Sequence, residues 1–367
     1  MKTIELAKEL IGFETVSPIT DPDIFEFLKL YLEDNGVNSK IHDIRGVKSL
    51  TATLGSGKPS ICFSGHLDTV APGSNWEIAD PFEPVVENGK LYGRGATDMK
   101  TECAALVNAA LRLKKSDFDG SITLMLTGDE EKGGERGTAE LAEDMKFDYA
   151  IVGEPTDLNV QIGTRGILWL DIVLEGKSAH SSRASRTTGN LFEDVPQVLE
   201  KLNNLDLDEN EDSLLPESVG EVTTVSADNA YNSVPSEIRF GMDFRYSHSQ
   251  TAEGIIELVD KELSELEVDY RLEVVKDMMK PWVLKDADFK RTVVDAVADI
   301  TGRIPEQITE GGASDGRFFA KKGTPFVELG LDQEPVHQQD EYCTVEDIVK
   351  LENTYVRVAE KLAESRT

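Results

Sequence analysis

Three short apolar runs that end in acidic or imidazole side chains constrain the fold of this chain more than any other feature. The run at 60–63 leads into His66, the run at 122–126 leads into the acids at 129–131, and the run at 149–152 leads into Glu154. Short apolar runs bounded by turn residues are typical of buried strands in a parallel sheet. Because open α/β sheets hold their ligands at the carboxyl ends of strands, these side chains are predicted to meet at one sheet edge.

The segment 64–100 adds two polar groups to this edge. His66 and Asp68 stand two apart on an extended segment and point to the same side, so that one can bind a metal while the other orients it. Asp98 directly precedes a run rich in alanine and leucine at 99–113, which is predicted to be a helix. Alone, a histidine and an acid at a strand end more often form a structural pair, and the acids at 129–131 equally suit a solvated surface.

The length of the chain and its second half predict two domains. A chain of 367 residues is too long for one ordinary core. Between 168 and 276 the pattern is strand, helix, strand, strand, helix, strand, which is that of a ferredoxin-like unit. We therefore expect an inserted domain at 165–278 and a first domain formed by 1–164 and 279–367.

The charge of the chain excludes several partners. Acidic residues number 69 and basic residues 38, which gives a formal net charge of -31. Nucleic acid and anionic membrane are polyanions that bind basic patches, so neither is expected as a partner, and an anionic substrate needs local arginines. The sequence contains no apolar stretch long enough to span a bilayer, and residues 1–8 are typical of an amphipathic helix, so a cytoplasmic location is expected.

The ordered motifs of the chain resemble the co-catalytic zinc amidohydrolase and exopeptidase family. They are His66-Leu-Asp68, Gly93-Arg-Gly-Ala-Thr-Asp98-Met-Lys, Asp129-Glu-Glu131, Gly153-Glu154-Pro and a late His337, and they cover nearly the whole chain. The resemblance implies an α/β fold in which helices flank a zinc-exopeptidase-like mixed sheet. It also implies that the inserted ferredoxin-like α+β domain serves as a dimerisation or lid domain.

The resemblance further implies two metal ions per subunit. Asp98 bridges the ions, His66 and Glu154 complete one site, and Glu131 and His337 complete the other. Imidazole and carboxylate ligands suit zinc, with cobalt or manganese as substitutes. Such a pair activates water and polarises the substrate carbonyl.

Three further residues are expected to act in catalysis by the same resemblance. Glu130 takes a proton from the attacking water and passes it to the leaving amine. Asp68 receives the second ring N–H of His66 and fixes its tautomer. His180 of the inserted domain, accompanied by Asn232, reaches the active site of the partner subunit in a homodimer and donates a hydrogen bond to the oxyanion.

The substrate residues are predicted from single positions. An arginine fork matches an α-carboxylate, although each arginine can equally pair with a neighbouring acid. The loop at 311–318 resembles the desuccinylase branch of the family. The serines after His180 and the segment 337–342 resemble the deacetylase branch, and Ile167 and Ala313 replace hydroxyl residues of the desuccinylase pattern. The predicted substrate-binding residues are Arg165, Asn232, Arg245, Gly312, Ala313 and Ser314.

The resemblance implies hydrolysis of the amide bond of an N-acyl amino acid. The first expectation is conversion of N-succinyl-LL-diaminopimelate to succinate and LL-diaminopimelate, a step of lysine and peptidoglycan biosynthesis. Deacetylation of N-acetylornithine or N-acetylcitrulline is the second, and a dipeptidase or carboxypeptidase is the third. The alternative of another class is a non-catalytic acidic dimer scaffold, which the loss of Glu130 or of a ligand would indicate; all are present.

Overall fold

A computed structural model describes residues 2–184, 189–207, 214–309 and 312–365. The chain divides into two compact units. The first unit comprises Met1–Ile162, Leu284–Ile308 and Ser314–Thr367, and the second comprises Gly163–Val283 and Thr309–Ala313. The chain therefore leaves the first unit after 162 and again after 308, and returns to it each time. Each unit is described below by itself.

The helices of the described residues follow the apolar periodicity of the sequence. In chain order they are α1 (Thr3–Ile11), α2 (Asp23–Asp34), α3 (Lys100–Lys114), α4 (Thr138–Glu143), α5 (Val195–Asn203), α6 (Ala252–Ser264), α7 (Ala287–Thr301), α8 (Gly316–Lys322) and α9 (Val345–Glu364). Short 3₁₀ helices cover Glu130–Lys132 and Leu191–Glu193. The helical segment 191–203 of the second unit begins as a separate 3₁₀ turn, because Pro196 has no N–H to donate and occupies the first turn of α5.

The strands of the described residues range from two to eleven residues. In chain order they are β1 (Ser39–Ile44), β2 (Val47–Gly55), β3 (Ser60–His66), β4 (Val85–Glu87), β5 (Lys90–Tyr92), β6 (Ser121–Thr127), β7 (Tyr149–Val152), β8 (Val160–Gln161), β9 (Gly163–Thr164), β10 (Gly166–Glu175), β11 (Ala179–His180), β12 (Val219–Ser226), β13 (Ser233–Val234), β14 (Glu237–Tyr246), β15 (Asp269–Met279), β16 (Trp282–Val283), β17 (Gln307–Ile308), β18 (Phe326–Glu328) and β19 (Tyr342–Thr344).

A mixed sheet forms the centre of the first unit. Its strand order is β1-β2-β6-β3-β7-β18-β8-β17. Strand β3 pairs in parallel with β6 and with β7. At one edge of the sheet, β2 pairs antiparallel with both β1 and β6. Phe63, Leu124 and Ile151 on the parallel strands are fully buried. This sheet and its flanking helices confirm the predicted α/β class.

Helix α3 is buried along almost its whole length. Packing against α1 and α9 covers its outer side, and β3 lies against its inner side. Helix α3 can therefore carry alanine and leucine on every face, which explains why its sequence is rich in both. Because Asp98 lies two residues before α3, this packing anchors the segment that carries Asp98.

The second unit contains an antiparallel sheet with the strand order β12-β14-β10-β15. Alternate residues of its strands face one core, in which Leu170, Phe240 and the α6 residue Val259 are fully buried. The order of strands and helices is that of a ferredoxin-like unit. Its role as a dimerisation or lid domain stays a prediction.

A small sheet of the first unit joins two distant parts of the chain. Strand β5 pairs antiparallel with both β4 and β19, with Tyr92 opposite Tyr342 in the register. The segment after β5 leads to Asp98, and the segment before β19 contains His337. The pairing therefore brings the two motif segments together.

Every helix within the described residues is too short or too polar to cross a lipid bilayer. The cytoplasmic location expected from the sequence stays a prediction.

Candidate metal centre

The ends of three neighbouring parallel strands carry most of the candidate ligands. Strand β3 ends at His66, β6 leads into the 3₁₀ turn that contains Glu131, and β7 is followed by Glu154. Because β3 lies between β6 and β7, these three segments are adjacent at the carboxyl edge of the sheet. The fold thus provides the sheet edge that the sequence predicts.

The carboxylate of Asp98 lies between two imidazole rings. Its Oδ1 is 3.0 Å from Nε2 of His66, and its Oδ2 is 3.1 Å from Nε2 of His337. Nε2 of His337 is also 3.1 Å from Oε1 of Glu131. One carboxylate therefore presents a separate oxygen to each ring, which is the arrangement expected of a bridging ligand.

These residues fit a metal site by their chemistry and by their spacing. Ligand atoms of His66, Asp98 and Glu131 lie within 4.8 Å of one another. Oε1 of Glu154 is buried and accepts no hydrogen bond from the described residues. A buried carboxylate oxygen without a partner carries a large desolvation penalty, which a cation at the same edge would remove. Imidazole nitrogens and carboxylate oxygens are suitable ligands for zinc and related divalent ions.

The electrostatics of the metal-free centre favour protons on both rings. Burial opposes a charge on His66, but the carboxylates of Asp98, Asp68 and Glu154 outweigh it and raise the pKa of His66 well above its usual value. Hydrogen bonds to Asp98 and Glu131 raise the pKa of His337 to about 10. A metal must therefore displace these protons, because only the neutral imidazole is a ligand.

The surroundings of Glu130 and Glu154 disfavour a charge on each carboxylate. Burial raises the pKa of Glu130 well above its usual value, and repulsion by nearby carboxylates adds to the rise. The attraction of His66 opposes it. The same causes act on Glu154, whose pKa is also raised. Asp98 differs because burial is outweighed by its hydrogen bonds to His337 and His66, which lower its pKa.

Asp68 contacts the turn that carries the two glutamates. Its Oδ1 accepts the N–H of Glu130 at 3.2 Å, and its Oδ2 accepts the N–H of Glu131 at 3.1 Å. Nδ1 of His66 lies 2.9 Å from the main-chain oxygen of Asp68 but 3.6 Å from its Oδ1. The predicted hydrogen bond from the His66 ring to the Asp68 carboxylate is therefore wrong in this structure. Instead the main chain of Asp68 orients the ring, and its side chain fixes the turn.

His180 and Asn232 lie beside each other in the second unit. Strand β11 ends at His180 and pairs with β13, and the N–H of Ser181 donates to the main-chain oxygen of Asn232 at 2.9 Å. His180 is exposed, and its Nδ1 lies 2.9 Å from the hydroxyl of Ser182. The structure thus brings the two residues of this predicted pair together.

The predicted substrate residues have protein partners of their own. Arg165 donates to the main-chain oxygen of Glu217 at 2.9 Å, and Arg245 forms a forked pair with Asp243 at 3.0 to 3.2 Å. Ser314 is buried, and its hydroxyl donates to the carboxylate of Glu328.

The loop around Ser314 is only partly within the described residues. Gly312 is exposed and Ala313 is partly buried. Gly311 of this predicted loop and the preceding Glu310 lie outside the described residues. Of the three predicted substrate residues in this loop, Gly312 is the exposed one.

Glu328 is a buried acid that sequence reasoning missed. It lies on β18 next to β7, and its carboxylate accepts hydrogen bonds from Ser314 and from the side-chain amide of Gln161. Burial raises the pKa of Glu328 to about 7, although these hydrogen bonds and nearby Arg317 oppose the rise. The sequence signal that could have identified Glu328 is its place as an acid within the apolar run 325–329.

Comparisons with known proteins agree with this geometry. Residues 62–361 match the peptidase family M20/M25/M40. A relative from Wolbachia pipientis subsp. Culex pipiens, named succinyl-diaminopimelate desuccinylase, is 33% identical over 368 residues, which cover 96% of this chain and 91% of that protein. A protein of the same name from Thiobacillus denitrificans is 32% identical over 376 residues, which cover 98% of this chain and 95% of that protein.

A solved structure shows a similar fold. An M20 family metallo-carboxypeptidase from Sulfolobus solfataricus superposes with a TM-score of 0.82 over 99% of this chain and 100% of that chain. Its sequence identity is 18%, so the likeness concerns the fold alone.

Proposed function

The chain belongs to the peptidase family M20/M25/M40 and is a metal-dependent amidohydrolase, and from this premise we propose that it hydrolyses N-succinyl-LL-diaminopimelate to succinate and LL-diaminopimelate. The observation that carries the reaction class is the Asp98 carboxylate, which presents one oxygen to each of two imidazole rings. The substrate is proposed from the relatives, which align with nearly the whole chain.

We propose that the centre holds two zinc ions, with cobalt or manganese as possible substitutes. Asp98 would be shared, His66 and Glu154 would complete the first site, and Glu131 and His337 would complete the second site. When bound, the ions supply Lewis-acid chemistry that activates water and polarises the scissile carbonyl. The close approach of the ligand atoms supports this assignment.

Glu130 is proposed as the general base and acid. It begins the turn that Asp68 fixes through two main-chain N–H groups, so its position relative to Glu131 is set by the fold. Burial raises the pKa of Glu130 well above its usual value, which makes its carboxylate a stronger base than an ordinary glutamate. Glu130 would take a proton from the attacking water and give it to the nitrogen of the leaving amine.

We propose that the protein acts as a homodimer in which His180 of the partner subunit donates a hydrogen bond to the oxyanion. The exposure of His180 and its place beside Asn232 on the β11–β13 pair support this role. The hydroxyl of Ser182 contacts Nδ1, which leaves Nε2 available for the substrate. A donor aimed at developing negative charge is a major source of rate acceleration in acyl transfer.

Substrate binding is proposed to use Arg165, Arg245 and the segment Gly312–Ser314. Because the Ser314 hydroxyl already contacts Glu328, this segment would bind through its main chain and through the exposed Gly312. The two arginines would hold carboxylates of the substrate, which a chain with a net charge of -31 otherwise repels.

Deacetylation of N-acetylornithine is the second candidate. Ser181 and Ser182 follow His180 as in the deacetylase branch, and Ser182 contacts the His180 ring. The two candidate substrates differ in the acyl group and in the amino acid, and both reactions use the same proposed metal centre.

A substrate panel tests the proposal. Zinc-loaded protein is mixed with N-succinyl-LL-diaminopimelate, N-acetylornithine, N-acetylcitrulline and several dipeptides, and amine release is followed with ninhydrin. We expect the succinyl substrate to be cleaved fastest, with Glu130→Gln as the inactive control. Faster release from an acetyl substrate would assign the second candidate. No release after the addition of zinc or cobalt would contradict both and favour the non-catalytic scaffold.

A further inference from the structure

A buried ion pair lies beside the proposed metal centre in the first unit. The guanidinium of Arg94 pairs with the carboxylate of Glu341, and both side chains are almost completely buried, at 2% and 0% exposure. Neither residue is among the proposed ligands or catalytic groups. Isolated pairs at this depth are not strongly stabilising, because the desolvation cost offsets much of the attraction. Stability alone therefore does not explain the buried Arg94–Glu341 pair.

The Glu341 carboxylate contacts the segment that carries the bridging ligand. Its Oε1 accepts the N–H of Thr97 at 2.9 Å and the N–H of Asp98 itself at 3.1 Å. The main-chain oxygen of Glu341 accepts the N–H of Gly93 at 3.0 Å. Glu341 therefore holds both ends of the segment 93–98, and Asp98 lies at one of these ends.

The Arg94 guanidinium contacts the segment that carries the late ligand. Its Nη2 donates to the main-chain oxygen of His337 at 3.4 Å and to that of Pro72 at 3.4 Å. His337 has a φ of 63°, a left-handed conformation that is unfavourable for a residue with a side chain. The hydrogen bond from Arg94 to the carbonyl oxygen of His337 helps to hold this conformation.

The pair therefore forms one connected path between the two proposed ligands Asp98 and His337, which are 239 residues apart in sequence. The path runs from the N–H of Asp98 to Glu341, from Glu341 to Arg94, and from Arg94 to the carbonyl oxygen of His337. Pairing of β5 with β19 places the two segments side by side. The ion pair adds a second, side-chain connection between these segments.

We propose that Arg94 and Glu341 are positioning residues that set the geometry of the second metal site by holding His337 against Asp98. The inference depends on the proposed dinuclear centre but not on the identity of the substrate. Residues outside the ligand shell that orient ligands typically change metal affinity ten- to a hundredfold when they are replaced.

Two conservative variants and one matched control test this inference. Glu341→Gln keeps an oxygen that can accept the N–H groups of Thr97 and Asp98, but it removes the charge that holds Arg94. Arg94→Lys keeps the charge but cannot reach Glu341 and His337 with a planar fork. Glu352→Gln is the control, because it also removes a glutamate paired with an arginine, Arg112, elsewhere in the first unit.

The measurement is calorimetric titration of each chelator-stripped protein with Zn²⁺, which needs no substrate. His337→Ala identifies the binding step that belongs to the second site. For both test variants we expect the dissociation constant of that step to rise about ten- to a hundredfold, while the first step changes less than about threefold. We expect both steps to be unchanged in Glu352→Gln.

Several results would overturn the inference. One is a dissociation constant of the second step that is unchanged in the test variants. Another is an equal loss of zinc affinity at both steps, which would assign the pair to general stability. If Glu341→Gln does not fold, as judged by circular dichroism, Arg94→Lys alone decides. A wild-type protein that binds two ions but cleaves no panel substrate would contradict the proposed substrate and leave this inference intact. Failure of the wild type to bind two ions would contradict both.

Discussion

Replacing Glu328 with glutamine should remove one well-defined part of the pH dependence of stability. Burial raises the pKa of Glu328 from 4.5 to about 7 in the folded protein. The unfolded chain therefore loses this proton at lower pH than the folded protein does. The resulting stabilisation of the folded state is complete below pH 4.5 and is lost as the pH rises through 7.

The size of the effect follows from the two pKa values. A difference of about 2.5 units corresponds to about 3.4 kcal/mol when the whole transition is included. Between pH 5.5 and 8.5, a range that avoids the isoelectric region, the same relation gives a loss of about 2 kcal/mol. Glutamine does not titrate, so Glu328→Gln should lack this loss.

The assay is urea unfolding of chelator-treated protein at several values of pH between these limits, followed by circular dichroism. The free energy of unfolding of the wild type minus that of Glu328→Gln should fall by about 2 kcal/mol across the range. Glu87→Gln, which removes one charge from the exposed strand β4, is the matched control. A difference that stays constant, or that rises with pH, would refute the argument that Glu328 is protonated by burial.

Three further predictions concern the metal centre and its reaction. Glu130→Gln should lower kcat by about 10²- to 10⁴-fold while zinc content, measured by atomic absorption, stays unchanged; a normal rate would exclude it as the base. Because the pKa values of His66 and His337 are raised, zinc binding should release protons from these rings, measured by calorimetry in buffers of different ionisation enthalpy. Binding without proton release would contradict the protonated rings. His180→Ala should lower kcat more than it changes KM, and its mixed dimers with Glu130→Gln should recover some activity; no recovery would place His180 in the active site of its own chain.

The sequence predicts the parts of the site that depend on strand pattern. The apolar runs that become β3, β6 and β7 are continuous and buried, so their ends could be expected at one edge. Helix α9, Val345–Glu364, follows the apolar period of its sequence over its whole length. Local periodicity is sufficient in such cases because each element is long or fully buried.

The parts that could not be predicted depend on contacts between distant segments. Strands β8 and β17 have two residues each, too few to show any periodicity. Arg94 and Glu341 become partners only because β5 pairs with β19, and the two motif segments that contain them do not show this pairing in the sequence. The contact of the Asp68 side chain with the turn at Glu130 likewise depends on a three-dimensional approach.

The position of β18 between β7 and β8 has a consequence for biosynthesis. A late segment of the chain fills a place inside a sheet whose neighbouring strands emerge from the ribosome much earlier. Roughly 160 residues separate β8 from β18, which corresponds to about 10 to 30 s of translation. During this interval β7 and β8 expose unpaired edges, while the second unit is synthesised and can fold. The nascent chain therefore needs protection from aggregation until β18 arrives.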